Sequence, residues 1–114
     1  MAKRKIAWLE VSAQDRLALA RFYADLFGFE HRDYPDMNYT TMSTGNSDPG
    51  FGIGIGQVTP EQPGMAVFYI ESQDIQADLK AIQSKGGQAV DEPMDIPGVG
   101  TIAFFKDPAG NLMA

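Results

Sequence analysis

The sequence predicts an α+β fold: two β-α-β-β-β modules forming a cupped mixed sheet around a shared cavity, with the helices on the outside. Three observations predict it. The stretch AWLEVSAQD, Ala7 to Asp15, returns as AVFYIESQD, Ala66 to Asp74, which sets Ile6 on Met65, Trp8 on Val67, Val11 on Ile70 and Gln14 on Gln73. Each copy then passes from a strand pattern through an apolar helical stripe to three short strand runs. Finally, 114 residues make about one domain, too few for two independent cores, so the copies must share one. A helix on one sheet face leaves the other face bare, and two such units combine around a common concave surface.

In chain order, Ile6 to Val11 is a short run rich in strand formers. Ser12 is the expected N-cap of the first helix, with Asp15 three residues on. Leu19, Phe22, Tyr23 and Leu26 fall on one apolar stripe, and Gly28 supplies the stop. Strands follow at Phe29 to Arg32, Tyr39 to Ser43 and Phe51 to Val58, separated by Pro35-Asp36 and by the turn-forming stretch from Gly45 to Gly50. The connector Thr59 to Gly64 marks the module boundary. One domain, 1–114, is thus expected to divide into a module at 1–58, a linker at 59–64 and a module at 65–114. In the second module, Met65 to Ile70 is a strand. Asp74 to Lys85 is a helix with Ile75, Leu79 and Ile82 on one face, stopped by Gly86-Gly87. Gln88 to Val90 and beyond, Thr101 to Phe105, and a short run from Asn111 complete the strands.

Composition narrows the function. Hydrophobic residues at 44% and charged residues at 21% describe a soluble, globular chain. Nine basic against fifteen acidic side chains give a net charge of −6, the wrong sign for a phosphate-backbone binder, so no nucleic-acid partner is expected. The same charge favours cationic small molecules wherever carboxylates line a pocket, and otherwise serves solubility. The basic start, Met1 to Lys5, is followed by an apolar run only from Ile6 to Leu9 before Glu10 interrupts. That is too short for a signal peptide or a membrane span, so no membrane partner is expected. With no cysteine there is no disulfide framework, thiolate metal site or thiol nucleophile, and a cytoplasmic location is the default expectation.

The doubled order, the segment FYADLFGFE at Phe22 to Glu30 and the segment FFKDPAGN at Phe104 to Asn111 together resemble the vicinal oxygen chelate superfamily. This group contains glyoxalase I, bleomycin resistance proteins, fosfomycin resistance enzymes and extradiol dioxygenases. The resemblance implies a divalent metal held in the cavity by His or Glu on the first and last strands of each module, with open sites for adjacent substrate oxygens. The position seven residues before the first helix aspartate is Trp8, and its repeat counterpart is Val67. The donor on the first module's last strand would come from FGIGIG near Gly52 or Gly54, and the last position is Ala114. None carries a usable donor, so neither a metal nor any other cofactor is expected.

Period-two alternation puts Ile6, Trp8 and Glu10 on one face of the first strand and Ala7, Leu9 and Val11 on the other. If the family's ligand geometry holds, the Trp8 face looks into the cavity. On the fifth strand Met65, Val67, Tyr69 and Glu71 then face inward, while Phe68 and Ile70 meet the helix. Trp8, Glu10, Val67, Tyr69 and Glu71 are the candidate ligand-binding residues. Trp8 and Tyr69 offer flat apolar walls with one polar handle each, suited to a planar or cationic ligand; the alternative is that Trp8 simply fills a vestigial cavity. An inward Glu10 must be hydrogen-bonded, paired or wet. Glu10, Tyr69 and Glu71 can also be read as an acid and base pair, though no spacing singles them out. His31, the only histidine, reads as a solvated strand-end residue.

The run FGIGIG contains G-x-G-x-G but lacks the final glycine and the strand-to-helix setting of a nucleotide loop. It reads instead as a strand face nearly free of side chains, which another backbone or a ligand can approach. After the Asp107-Pro108-Ala109-Gly110 turn only Asn111 to Ala114 remain, fewer than the family usually has there, so the cavity rim is open, completed by a partner, or continued beyond this sequence. By the resemblance and by the apolar surface that a half-open sheet leaves, a homodimer is expected. The leading expectation is a metal-independent small-molecule binding protein of the glyoxalase and bleomycin resistance type, its ligand cationic or aromatic. The alternatives are a metal-dependent lyase or dioxygenase using Glu10, Glu71 or His31, and a degenerate fold serving only protein interaction.

Overall fold

The doubled order is present. The computed structural model describes residues 2–45, 52–62 and 64–114. The elements run β1 (Ile6–Ala13), α1 (Arg16–Phe27), β2 (Glu30–Tyr34), β3 (Tyr39–Ser43), β4 (Ile53–Gln57), β5 (Ala66–Ile70), α2 (Ile75–Ser84), β6 (Gln88–Ile96), β7 (Gly100–Lys106) and β8 (Leu112–Met113). The fold class is α+β, as the repeat predicts. Phe51, the loop residues from Asn46 to Gly50, Pro63 and Met1 lie outside the described residues. Two compact units are formed, Ile6–Tyr69, and Ile70–Ala114 together with the N-terminal segment ending at Lys5.

In the first unit the strand order is β2-β3-β4-β1-β5. β4 runs parallel to β1 with Leu9 opposite Ile53 and Ala13 opposite Gln57. β2 and β4 each pair antiparallel with β3. A 3-10 turn at Pro35–Met37 closes the first of these hairpins, with Asn38 in the left-handed region at φ 48°, a conformation that asparagine tolerates better than most residues. The β5 end of the sheet is anchored by Ser12, whose N–H donates to the carbonyl of Met65 at 3.0 Å.

Helix α1 starts at Asp15, not at Ser12. The Asp15 carboxylate accepts from the N–H of Ala18 at 3.0 Å, while Ser12 stays in β1 opposite Gly56. Sheet pairing therefore holds the serine extended, and the next capping side chain takes over. The expected stripe is rotated as well. Phe22 and Leu26 are 50% and 61% exposed, and the fully buried helical residue is Ala20, packed with Met42 and Ile55 and flanked by Leu19 and Tyr23. A small residue lets the helix sit close on the sheet, so the bulkier phenylalanine and leucine turn outward. Beneath the helix, the hydroxyl of buried Thr40 donates to Asp33 at 2.8 Å, and Asp33 pairs with Arg16 at 3.0 Å, so the polar groups at this face are satisfied.

In the second unit, Asp74 caps α2 by accepting from the N–H of Ala77 at 3.0 Å. Leu79 is buried, with Ile75 and Ile82 half-buried beside it, on the face expected. β6 is far longer than Gln88 to Val90, because a register shift between Val90 and Met94 absorbs Pro93 and the positive φ of Asp91 without ending the pairing with β7. The Asp107 carboxylate accepts from the N–H groups of Ala109 and Asn111 and from the Asn111 side chain, which makes FFKDPAGN a self-capped turn before β8. Ile70, expected against a helix, is 38% exposed at the end of β5. Its N–H donates to the carbonyl of Ala114 at 2.7 Å. Arg4 reaches Asp78 of α2, which ties the N-terminal segment to this unit.

Candidate functional site

Trp8 and Glu10 share one face of β1 and converge on a third side chain. The indole Nε1–H donates to the hydroxyl of Tyr39 at 2.9 Å, and that hydroxyl donates to Glu10 Oε2 at 2.9 Å. β4 makes room for the chain. A Cβ on Gly52 would meet Trp8 Cζ3 at 2.4 Å, and one on Gly54 would lie 1.6 Å from the Tyr39 hydroxyl and 2.8 Å from Trp8 Nε1. A Cβ on Gly56 would be 3.4 Å from Glu10 Oε1. The bare face at Gly52, Gly54 and Gly56 is thus covered by the protein's own Trp8, Tyr39 and Glu10 side chains.

Burial pushes the Glu10 carboxyl above the ordinary glutamate range, and the hydrogen bond from Tyr39 opposes this in part. Burial and then the Glu10 charge push the Tyr39 phenol well above its usual range. The same two causes, in the same order, raise Tyr69 to about 12. The protons in this group have fixed destinations. The Trp8 N–H and the Tyr39 O–H are both spent within the chain of hydrogen bonds, whereas the Glu10 carboxylate has lone pairs to spare.

The other sequence candidates divide. Val67 is buried at 5% exposure on β5, and Tyr69 is half-buried within reach of the Glu10 charge. Glu71 lies past the end of β5, exposed, in the other compact unit, with its N–H on the carbonyl of Lys5. His31 is exposed in β2 and borders a cleft of about 390 Å³. That cleft is lined by Trp8 and Gly52 at one side, by Thr41 and Ser43, and by Arg32 and Tyr34 at the other. Sequence reading missed Tyr39, Arg32 and Tyr34. The alternating glycines were the available signal for Tyr39, since a run of missing side chains on one strand makes space for large ones on its neighbours.

The donor set does not fit a divalent-metal centre of the kind the family resemblance implies. Trp8, Val67, Gly52, Gly54 and Ala114 carry no ligating side chain, and among the described residues no three His, Asp or Glu side chains gather in one place.

Comparison with known proteins agrees with this architecture. Residues 5–114 match the family described as Glyoxalase/Bleomycin resistance protein/Dioxygenase superfamily. The anthracycline biosynthesis protein DnrV of Streptomyces peucetius is 30% identical over 95% of this chain, which spans only 45% of that protein's length. A glyoxylase-like domain-containing protein of Didymella fabae is 28% identical over 96% of this chain and 91% of its own. A methylmalonyl-CoA epimerase solved with methylmalonyl-CoA and ammonium superposes with a TM-score of 0.67 at 21% identity, covering 98% of this chain and 92% of the epimerase.

Proposed function

The chain belongs to the glyoxalase/bleomycin resistance protein/dioxygenase superfamily, and from that premise we propose that it binds an organic small molecule without a metal ion, against Trp8 and Glu10. The observation that carries this reading is the Trp8–Tyr39–Glu10 chain, whose tryptophan occupies the sequence position at which the family resemblance implies a metal ligand. An indole offers a flat apolar wall, and a carboxylate with free lone pairs favours a ligand bearing N–H or O–H donors, most of all a cation. Half-buried Tyr69 extends the wall along β5, with Val67 buried on the same strand. The epimerase supports the reading at the level of the fold alone, since that protein was solved with an organic ligand, methylmalonyl-CoA. Homodimer formation and a cytoplasmic location belong to the same proposal.

The test is metal content by mass spectrometry after equilibrium dialysis of the pure protein against Zn, Ni, Fe(II) and Mn in turn. No ion should remain bound after dialysis; one tightly held ion per chain would overturn the metal-independent reading. A second reading, acid-base catalysis of the lyase or epimerase kind, is favoured by one observation, the half-buried Glu10 carboxyl raised by burial and hydrogen-bonded to a tyrosine.

A further inference from the structure

Along β2 the register sets Glu30, Arg32 and Tyr34 opposite Ser43, Thr41 and Tyr39. Side chains alternate, so these residues share a face with Tyr39, and therefore with Trp8 and Glu10. Asp33 points to the opposite face, where Arg16 already pairs with it. Arg32 has a different neighbour: its guanidinium carbon lies 5.2 Å from the centre of the Tyr34 ring. No ion pair involving Arg32 occurs among the described residues. This contact holds the guanidinium over the ring, and its N–H groups form a planar fork of donors matched to carboxylate and phosphate oxygens. Arg32 and Tyr34 line the cleft that Trp8 borders, together with Glu30, Thr41 and Ser43. Its volume of about 390 Å³ falls within the range of small-molecule sites, roughly 300–1,000 Å³.

We infer that Arg32, held against Tyr34, is an anion subsite that takes the carboxylate or phosphate of a ligand whose apolar body lies against Trp8. The inference rests on the reading of this face as a ligand site and supplies the chemistry of the ligand's second end. The chain's net charge of −6 repels anions at long range, so selection for an anion must come from this local contact. Glu30, on the same face of β2, adds to that repulsion, and a ligand held by Arg32 must overcome it.

The test is titration calorimetry with four naphthalene probes: 2-naphthoate, 2-naphthyl phosphate, the neutral 2-naphthamide and 2-naphthylmethylammonium. In the unmodified protein one of the anions should bind about ten-fold more tightly than the amide, as a charge-assisted fork allows; which anion leads decides between carboxylate and phosphate. Arg32→Gln should erase that advantage with amide affinity unchanged, and Arg32→Lys should keep part of it. Equal binding of anions and amide, or an anion preference that survives Arg32→Gln, overturns the subsite. In that case, if the amide or the ammonium still binds and Trp8→Ala abolishes it, the underlying ligand site stands without the subsite. If no probe binds at millimolar concentration, both fall.

Discussion

Glu10 carries a cost that depends on pH. Its carboxyl is raised in the folded chain by burial, so the folded state holds the proton more tightly than the unfolded state does. The stability this supplies is fully present below the unfolded glutamate pKa and is lost as pH rises through the folded one. Glu10→Gln keeps an oxygen to accept from Tyr39 without the buried charge. Thermal melts should therefore place this variant above the unmodified protein at pH 8, the gap closing toward pH 4; a variant less stable at pH 8 would mean that the charge has a favourable partner. Gly54→Ala tests the other half of the group. Its Cβ would fall 1.6 Å from the Tyr39 hydroxyl, so the hydrogen-bonded chain must shift, at a cost of about 1–3 kcal/mol. Gly64→Ala, with open space around the new Cβ, should melt near the unmodified protein, and equal melting of the two variants would count against a packed Trp8–Tyr39 contact. At this scale, alternation along β1 made the common face of Trp8 and Glu10 legible. Tyr39 was not legible, because it reaches Glu10 from a strand 29 positions away, and a single sequence does not reveal which strands are neighbours.

The helices show how local rules compete. Ser12 and Asp15 both qualify as caps, and position alone favours neither. Asp15 accepts the N–H of Ala18, whereas Ser12 is held in the ladder opposite Gly56. Asp15→Ala should cost about 1 kcal/mol, the usual price of a lost cap, with Ser12→Ala costing clearly less. Melting temperatures in one buffer decide it, and the reverse order would restore Ser12 as the cap. The second helix was legible almost to the residue because Asp74, its expected first residue, is its cap and Leu79 is its buried residue. Around α1 hydrophobicity misled, since the buried contact is Ala20 on Met42 and Ile55, and a ranking by apolar size passes over alanine. β6, expected from Gln88 to Val90 and beyond, extends to Ile96. Pro93 reads as a strand breaker, yet it falls within the stretch where the register between Val90 and Met94 shifts, a place where a missing N–H does little harm.

At the scale of the whole molecule, the repeat announced the architecture, since two matching strand-and-helix patterns in 114 residues leave few other folds. That β5 would join the sheet beside β1 was not announced, because alternation gives a strand's faces and not its partner. The described residues place only Ala20, Met42, Ile55, Val67 and Leu79 in the buried apolar core, while Phe22, Leu26, Phe27 and Val99 each expose half or more of their surface. Scattered apolar exposure is ordinary, but Phe22, Leu26 and Phe27 fall within six positions of one helix, and clustered exposure of this kind is characteristic of surfaces that associate. The proposed homodimer accounts for it. Light scattering coupled to size exclusion should give about 25 kDa, twice the 12.4 kDa of one chain, with a melting temperature that rises with protein concentration as mass action requires. A mass of one chain across the concentration range, together with a concentration-independent melt, would exclude the homodimer and leave the exposed face of α1 to a partner of another kind.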